Sequence, residues 1–192
     1  MAVKTLDFGL NPAEKNPLIT AYSFRFTETP EFTPKKDCIT TCVNPNHREG
    51  FDNISLVTTE KYASGVRMTL VSEFEDLGCA EIILVEKLEK CHDGAVRYGA
   101  CFEVILYKDG INVWRHYRDD GICHWHKRLA LHFPVSENQK HHLAVQVANN
   151  TLLIEADDLK IELRTEDLPE TFHVGLTACE GIVRLYQMTI EE

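Results

Sequence analysis

The sequence predicts an all-β fold, an antiparallel sandwich of two sheets, on three observations. Short β-rich runs follow one another closely after residue 53, and no segment holds a helical period for three turns. Several runs are separated by only two or three turn-forming residues. Connections that short make neighbouring strands antiparallel, because parallel strands need crossovers of about a dozen residues.

The runs lie at 54–58, 66–74, 80–88, 98–107, 111–117, 125–133, 142–148, 151–156, 159–163, 172–178 and 183–190. Lys108-Asp109-Gly110 divides two of them. An Asp-Gly pair readily supplies the positive φ of a tight hairpin, which places the turn at Asp109-Gly110. Asn149-Asn150 and Asp157-Asp158 read as two more hairpin turns, giving an antiparallel meander at the C-terminal end. Residues 11–53 contain Pro12, Pro17, Pro30, Pro34 and Pro45, and proline fixes φ and removes a donor. The first 53 residues are therefore expected to form a largely irregular wrap, with one strand where Tyr22-Ser-Phe-Arg-Phe26 alternates apolar and polar side chains. No internal repeat or low-complexity tract appears, which disfavours propellers and solenoids.

The chain has 192 residues, within the range of one sandwich domain, so residues 1–192 are expected to fold as a unit. Thirty acidic against twenty basic residues give a net charge of −10, which repels phosphate backbones and anionic lipid. Neither nucleic acid nor a membrane is an expected partner. No apolar run reaches the roughly 20 residues that cross a bilayer, and residues 1–10 lack a basic region followed by an apolar one. Seven scattered cysteines, several inside apolar stretches, read as reduced thiols. A cytoplasmic protein is the expectation.

Four segments carry a family resemblance: His141-His-Leu-Ala-Val-Gln-Val147, Leu152-Leu-Ile-Glu-Ala156, Val174-Gly-Leu-Thr-Ala178 and Gly181-Ile-Val-Arg-Leu-Tyr-Gln-Met-Thr-Ile190. Together they resemble the closing strands of the concanavalin A-like lectin and glucanase superfamily. The stretches 51–73 and 98–114 are similar to its earlier strands, so the likeness spans about three quarters of the chain as a pattern, without a signature motif. It implies a jelly-roll sandwich. It does not choose among lectin, hydrolase and lyase chemistry.

A turn at Asp109-Gly110 would pair Tyr107 with Asn112, Ile105 with Trp114, and Glu103 with His116. One face then carries Glu103, Tyr107, Asn112, Trp114 and His116. The other carries Phe102, Val104, Leu106, Ile111 and Val113, an apolar set expected between the sheets. In lectin-like sandwiches an outward concave face holds the sugar: an aromatic ring stacks on its C–H face while carboxylate, amide and imidazole groups bond hydroxyls. Trp114 is the expected platform. Tyr107, Asn112, Arg118, His124 and His126 are the other candidate ligand contacts, and Glu103 with His116 is the candidate acid–base pair.

His124 and His126, two apart, share one side of a strand and are expected either to line the face of Trp114 or to be structural, with Trp125 turned into the core. Their spacing leaves a divalent metal open, although zinc would need further ligands. Cys38 and Cys42 with His47 form a looser zinc-like set, read instead as buried or free thiols. Glu73 and Glu75 share a strand face at a separation that suits glycoside hydrolysis. They do not match the Glu-x-Asp-x-Glu spacing of the superfamily's glucanases and read as an acidic strand end. No phosphate-cradling or dinucleotide motif is present, so no organic cofactor is expected.

Three functions follow as expectations. The first is a carbohydrate-binding or accessory sandwich with its sugar on the concave face. The second is an intracellular glycoside hydrolase or lyase using Glu103 and His116. The third is a structural sandwich that binds a partner, or a second copy of itself, through exposed strand edges.

Overall fold

The structure, a computed structural model, describes residues 2–9, 18–23, 31–41 and 53–192. Its N-terminal strands are β1 (Val3–Asp7), β2 (Leu18–Ser23), β3 (Phe32–Pro34) and β4 (Ile39–Thr41). Next come β5 (Asn53–Thr58), β6 (Tyr62–Ala63), β7 (Arg67–Glu75), β8 (Cys79–Val85), β9 (Glu89–Lys90), β10 (Val96–Tyr98) and β11 (Cys101–Tyr107). Then follow β12 (Gly110–Asp119), β13 (Ile122–His132), β14 (His141–Ala148) and β15 (Thr151–Ala156). The last are β16 (Leu159–Arg164), β17 (Thr171–Cys179) and β18 (Ile182–Glu191).

These strands form two sheets. The first runs β16-β15-β14-β7-β18-β4-β3, with β1 also paired to β18. The second runs β13-β12-β11-β8-β17-β5-β2-β10-β9, with β6 on β17. Alternation decides which side of each strand is buried: β7 reads half-exposed, buried, half-exposed along its whole length, with Met68, Leu70 and Phe74 turned inward. Between the sheets these meet Leu143, Val145, Leu152, Ile154, Leu185 and Met188 from the first sheet, and Ile82, Leu84, Phe102, Val104, Leu106, Val113, Val174 and Leu176 from the second. The predicted inward set Phe102, Val104, Leu106, Ile111 and Val113 all belongs to this core.

Three features differ from the sequence-based expectation. The N-terminal segment read as mostly irregular contributes β1 to β4, whose short length hides any periodicity; β3 closes on Pro34, near the edge where a missing donor is tolerated. The strand predicted near 22–26 is β2, and residues 24–26 lie outside the described set. The run 98–107 is broken in two. Tyr98 ends β10, which pairs in parallel with β2 on the far side of the sheet, and β11 begins at Cys101.

The segment from 86 to 100 thereby packs on the outer face of the second sheet. Leu88, Val96 and Tyr98 join Ala21, Val57, Ile83, Val85 and Cys101 in a second, smaller apolar cluster. The Tyr98 hydroxyl lies 2.8 Å from Ser55 Oγ, itself 2.8 Å from Thr177 Oγ1, so these buried hydroxyls are mutually satisfied. Burial pushes the Tyr98 phenol well above its ordinary range. It does the same to the thiols of Cys79, Cys101 and Cys179, with nearby carboxylates adding to the effect. A thiol reagent at neutral pH is expected to label the partly exposed Cys91 and Cys123 in the native protein. Cys101 and Cys179 should label only on unfolding, which peptide mapping after labelling checks.

On the first sheet, Glu73 and Glu75 do share a face, but both are held by Arg184, at 2.8 and 2.5 Å, and Glu73 also accepts from the Tyr186 hydroxyl at 2.9 Å. Carboxylates locked in this way serve the sheet. Cys38 is buried, while Cys42 and His47 lie outside the described residues.

Candidate functional site

The β11–β12 hairpin closes one residue earlier than its Asp-Gly pair implied. Tyr107 pairs with Gly110 across Lys108-Asp109, so Ile105 faces Asn112, Glu103 faces Trp114, and Cys101 faces His116. Gly110 sits in the ladder with β13 close against it: a Cβ there would lie 2.0 Å from the Leu131 carbonyl oxygen, so the approach needs glycine. The pairing predicted from the sequence is thus off by two residues. A slip of two keeps every side chain on its face, so the face assignment stands.

The next turn places the residues of β13. Asp120 and Gly121 have φ of 46° and 80°, the positive values of a two-residue hairpin turn, and Asp119 pairs with Ile122 across them. Counting back, Trp125 lies opposite His116, His126 opposite Arg115, and His124 opposite Tyr117. A bulge between Val113 and Trp114 then admits one extra residue on β13, leaving Lys127 opposite Trp114 and Leu129 opposite Val113.

This register corrects two expectations. His124 and His126 lie on the face away from Trp114, where the His124 ring stacks on Tyr117 at 5.0 Å and His126 meets its edge at 5.4 Å. Trp125, expected in the core, is 45% exposed and shares the outer face with Trp114 and His116. Among the described residues no group of three or more histidine, cysteine or carboxylate side chains is arranged to hold a metal ion.

The outer face of the second sheet reads as cross-strand rows. One row runs Trp125, His116, Cys101, Val85, His173. The next runs Lys127, Trp114, Glu103, Ile83, Gly175, and a third runs Ala130, Asn112, Ile105, Glu81, Thr177, Ser55. Tyr107 lies one row further still, about 20 Å along the strand from Cys101 at the usual rise per residue. Arg118 extends the face in the other direction, past His116 on β12.

At the centre, His116 Nε2 lies 2.7 Å from Glu103 Oε2, with both side chains under a tenth exposed. The approach is close but lies off the geometry of a hydrogen bond, which leaves His116 Nε2 without a hydrogen-bond partner among the described residues. Cys101 Sγ lies 4.0 Å from the other carboxylate oxygen. Asn112 Oδ1 is buried with no hydrogen-bond partner among the described residues, an acceptor that lacks a donor. Lys127 Nζ sits 4.7 Å from the centre of the Trp114 ring, a cation on its π face. Arg115, on the opposite face, is tied to the Glu86 carboxylate and to the carbonyls of Cys101 and His116, and so fixes this end of β12.

Of the predicted site residues, Glu103, Tyr107, Asn112, Trp114, His116 and Arg118 share this face, and His124 and His126 do not. Trp125, Lys127 and Glu81 belong to it and were missed. Counting through the Asp120-Gly121 turn would have found the first two. Glu81 sits in a run read as apolar strand, and its alternation with Cys79 and Ile83 is a weak signal.

The fold is the concanavalin A-like β-sandwich, as comparison with solved structures shows. A carbohydrate-binding module, CBM66 from Bacillus subtilis, superposes with a TM-score of 0.62 at 10% identity, over 85% of this chain and 92% of that one. The exoplasmic/lumenal domain of VIP36 in its Ca2+/Man3GlcNAc-bound form gives 0.63 at 12% identity, over 100% and 90%. The β-glucanase of Bacillus licheniformis gives 0.59 at 12%, over 100% and 99%. No family model matches the sequence, and no curated protein matches it.

Proposed function

We propose that this protein binds a carbohydrate on the outer face of the second sheet, over Trp114 and Trp125 and beside the Glu103–His116 pair. The observation that carries the reading is the placement of both tryptophans of the chain on one face, one row apart. An indole offers a flat apolar surface to the C–H face of a sugar, and the adjoining carboxylate, imidazole and amide offer acceptors and donors to its hydroxyls. That a carbohydrate-binding module, a domain crystallised with Man3GlcNAc and a β-glucanase share the fold agrees with this reading without supplying a ligand.

A second reading, turnover, has one observation in its favour. Glu81 lies diagonally from Glu103 on the neighbouring strand, a position about 7–8 Å away between Cα atoms. Paired carboxyls at roughly 5–10 Å are what glycoside hydrolysis uses. Against it, Glu81 is only 2% exposed, so the second carboxyl that hydrolysis would need is closed off from the face. Binding is therefore the preferred function.

An oligosaccharide panel tests both readings. Trp114→Ala is expected to weaken binding by about tenfold or more, equivalent to roughly 1.4 kcal/mol, with an unchanged melting profile. Undiminished binding by that variant removes the platform. Hydrolysis or elimination that disappears in Glu103→Gln would establish the second reading in place of the first.

A further inference from the structure

We infer that the sugar this face selects is an acidic one, with its anionic group on Lys127. The inference rests on the proposed carbohydrate site and adds the chemical class of the ligand. Strand β13 has Lys127 and Arg128 but no aspartate or glutamate, in a chain whose net charge is −10. A cationic strand on an acidic protein concentrates anions where the rest of the surface repels them.

The cations of this edge are not equivalent. Arg128 is paired with Asp167, and Arg115 on the neighbouring strand with Glu86. Lys127 has no carboxylate partner among the described residues; its ammonium rests on the Trp114 ring instead. That places a charge on the surface a sugar would stack against. A neutral sugar must displace the ammonium and offers it only uncharged oxygen acceptors in return. A sugar bearing a carboxylate or sulfate displaces it and then pairs with it, a charge-assisted contact stronger than the cation–π contact it replaces.

The row order fits such a ligand. Lys127, Trp114 and Glu103 stand on three consecutive strands, so about 10 Å separates the backbone of the cation from that of the carboxylate, with the indole between them. An acidic monosaccharide over the indole would present its anion to Lys127 and its hydroxyls to Glu103 and His116. Placing the anion at the other end would set it against Glu103.

The test is a titration of the full chain with three matched oligosaccharides: a uronate oligomer, its carboxyl-reduced neutral counterpart, and a sulfated oligomer. The wild type should bind one or both acidic ligands about tenfold or more tightly than the neutral one, and added salt should narrow that gap. Lys127→Gln should abolish the preference and Lys127→Glu reverse it, each by weakening the acidic ligand while the neutral one, no longer obliged to displace the ammonium from Trp114, binds as well or better. Both variants lie on an exposed strand edge, so the fold should tolerate them. Which acidic ligand responds to Lys127 separates a carboxylate from a sulfate. Equal affinity for acidic and neutral ligands, lost in Trp114→Ala, overturns the inference and leaves the carbohydrate site standing. Binding to none of the three overturns both.

Discussion

Gly110→Ala is expected to destabilise the protein by about 3–5 kcal/mol, combining an overpacked contact with a strained positive φ. The glycine has φ of 130°, and a Cβ would lie 2.0 Å from Leu131 O, 3.0 Å from Leu131 C and 3.1 Å from Phe133 N. All three obstacles are backbone, so no rotamer change relieves them. The chain can yield only by moving β13 away from β12, and with it Trp125 and Lys127. Gly121→Ala is the control: its φ is 80° but nothing lies within 4 Å of the new methyl, so only the conformational cost of about 1 kcal/mol applies. Thermal or urea unfolding of the two variants distinguishes them. Gly110→Ala should lower Tm by roughly 10 °C and Gly121→Ala by a few degrees, and limited proteolysis of Gly110→Ala should cut first within β13. Matching transitions for the two alanines would show that Leu131 does not press on Gly110.

The same glycine marks the border of what sequence can reveal here. Alternation along 102–107 and 111–116 fixes which side chains share a face, because that depends only on the pleat. The partner of each residue depends on where the hairpin closes, and it closes at Lys108-Asp109, with Gly110 in the ladder pressed against the β13 backbone. Trp125 illustrates the cost of leaving the next turn uncounted: its alternation with His124 and His126 was plain, but alternation alone cannot say which side is outside. Only the register through Asp120-Gly121 makes that choice. The broken run at 98–107 is a different case. Tyr98 and Cys101 look like strand interior by composition, and they are buried, but against the outer face and not between the sheets. A local pattern cannot distinguish the two surfaces on which an apolar residue can be covered.

The Glu103–His116 pair should be dispensable for folding and required for the ligand, a separation that a double-mutant cycle can measure. His116→Leu leaves the Glu103 carboxylate buried beside Cys101 without its imidazole, and breaking a buried pair from that side is expected to cost about 3–5 kcal/mol. Glu103→Met leaves a polar imidazole without its carboxylate neighbour, and the expected loss is smaller, about 1–3 kcal/mol. The two changes together replace the pair by apolar groups of similar volume in a neighbourhood that already includes Ile83, Ile105 and Val85. Such replacements are commonly neutral or stabilising, so the double variant should recover most of what the singles lose, with a coupling of about 2 kcal/mol or more. If it is as stable as wild type yet no longer binds carbohydrate, the sheet had no structural need of two polar groups at under a tenth exposure, and their presence is explained by the ligand. Losses that simply add would mean the 2.7 Å contact is not an energetic pair. Recovered stability with undiminished binding would place the ligand elsewhere on the face, away from His116 and Glu103.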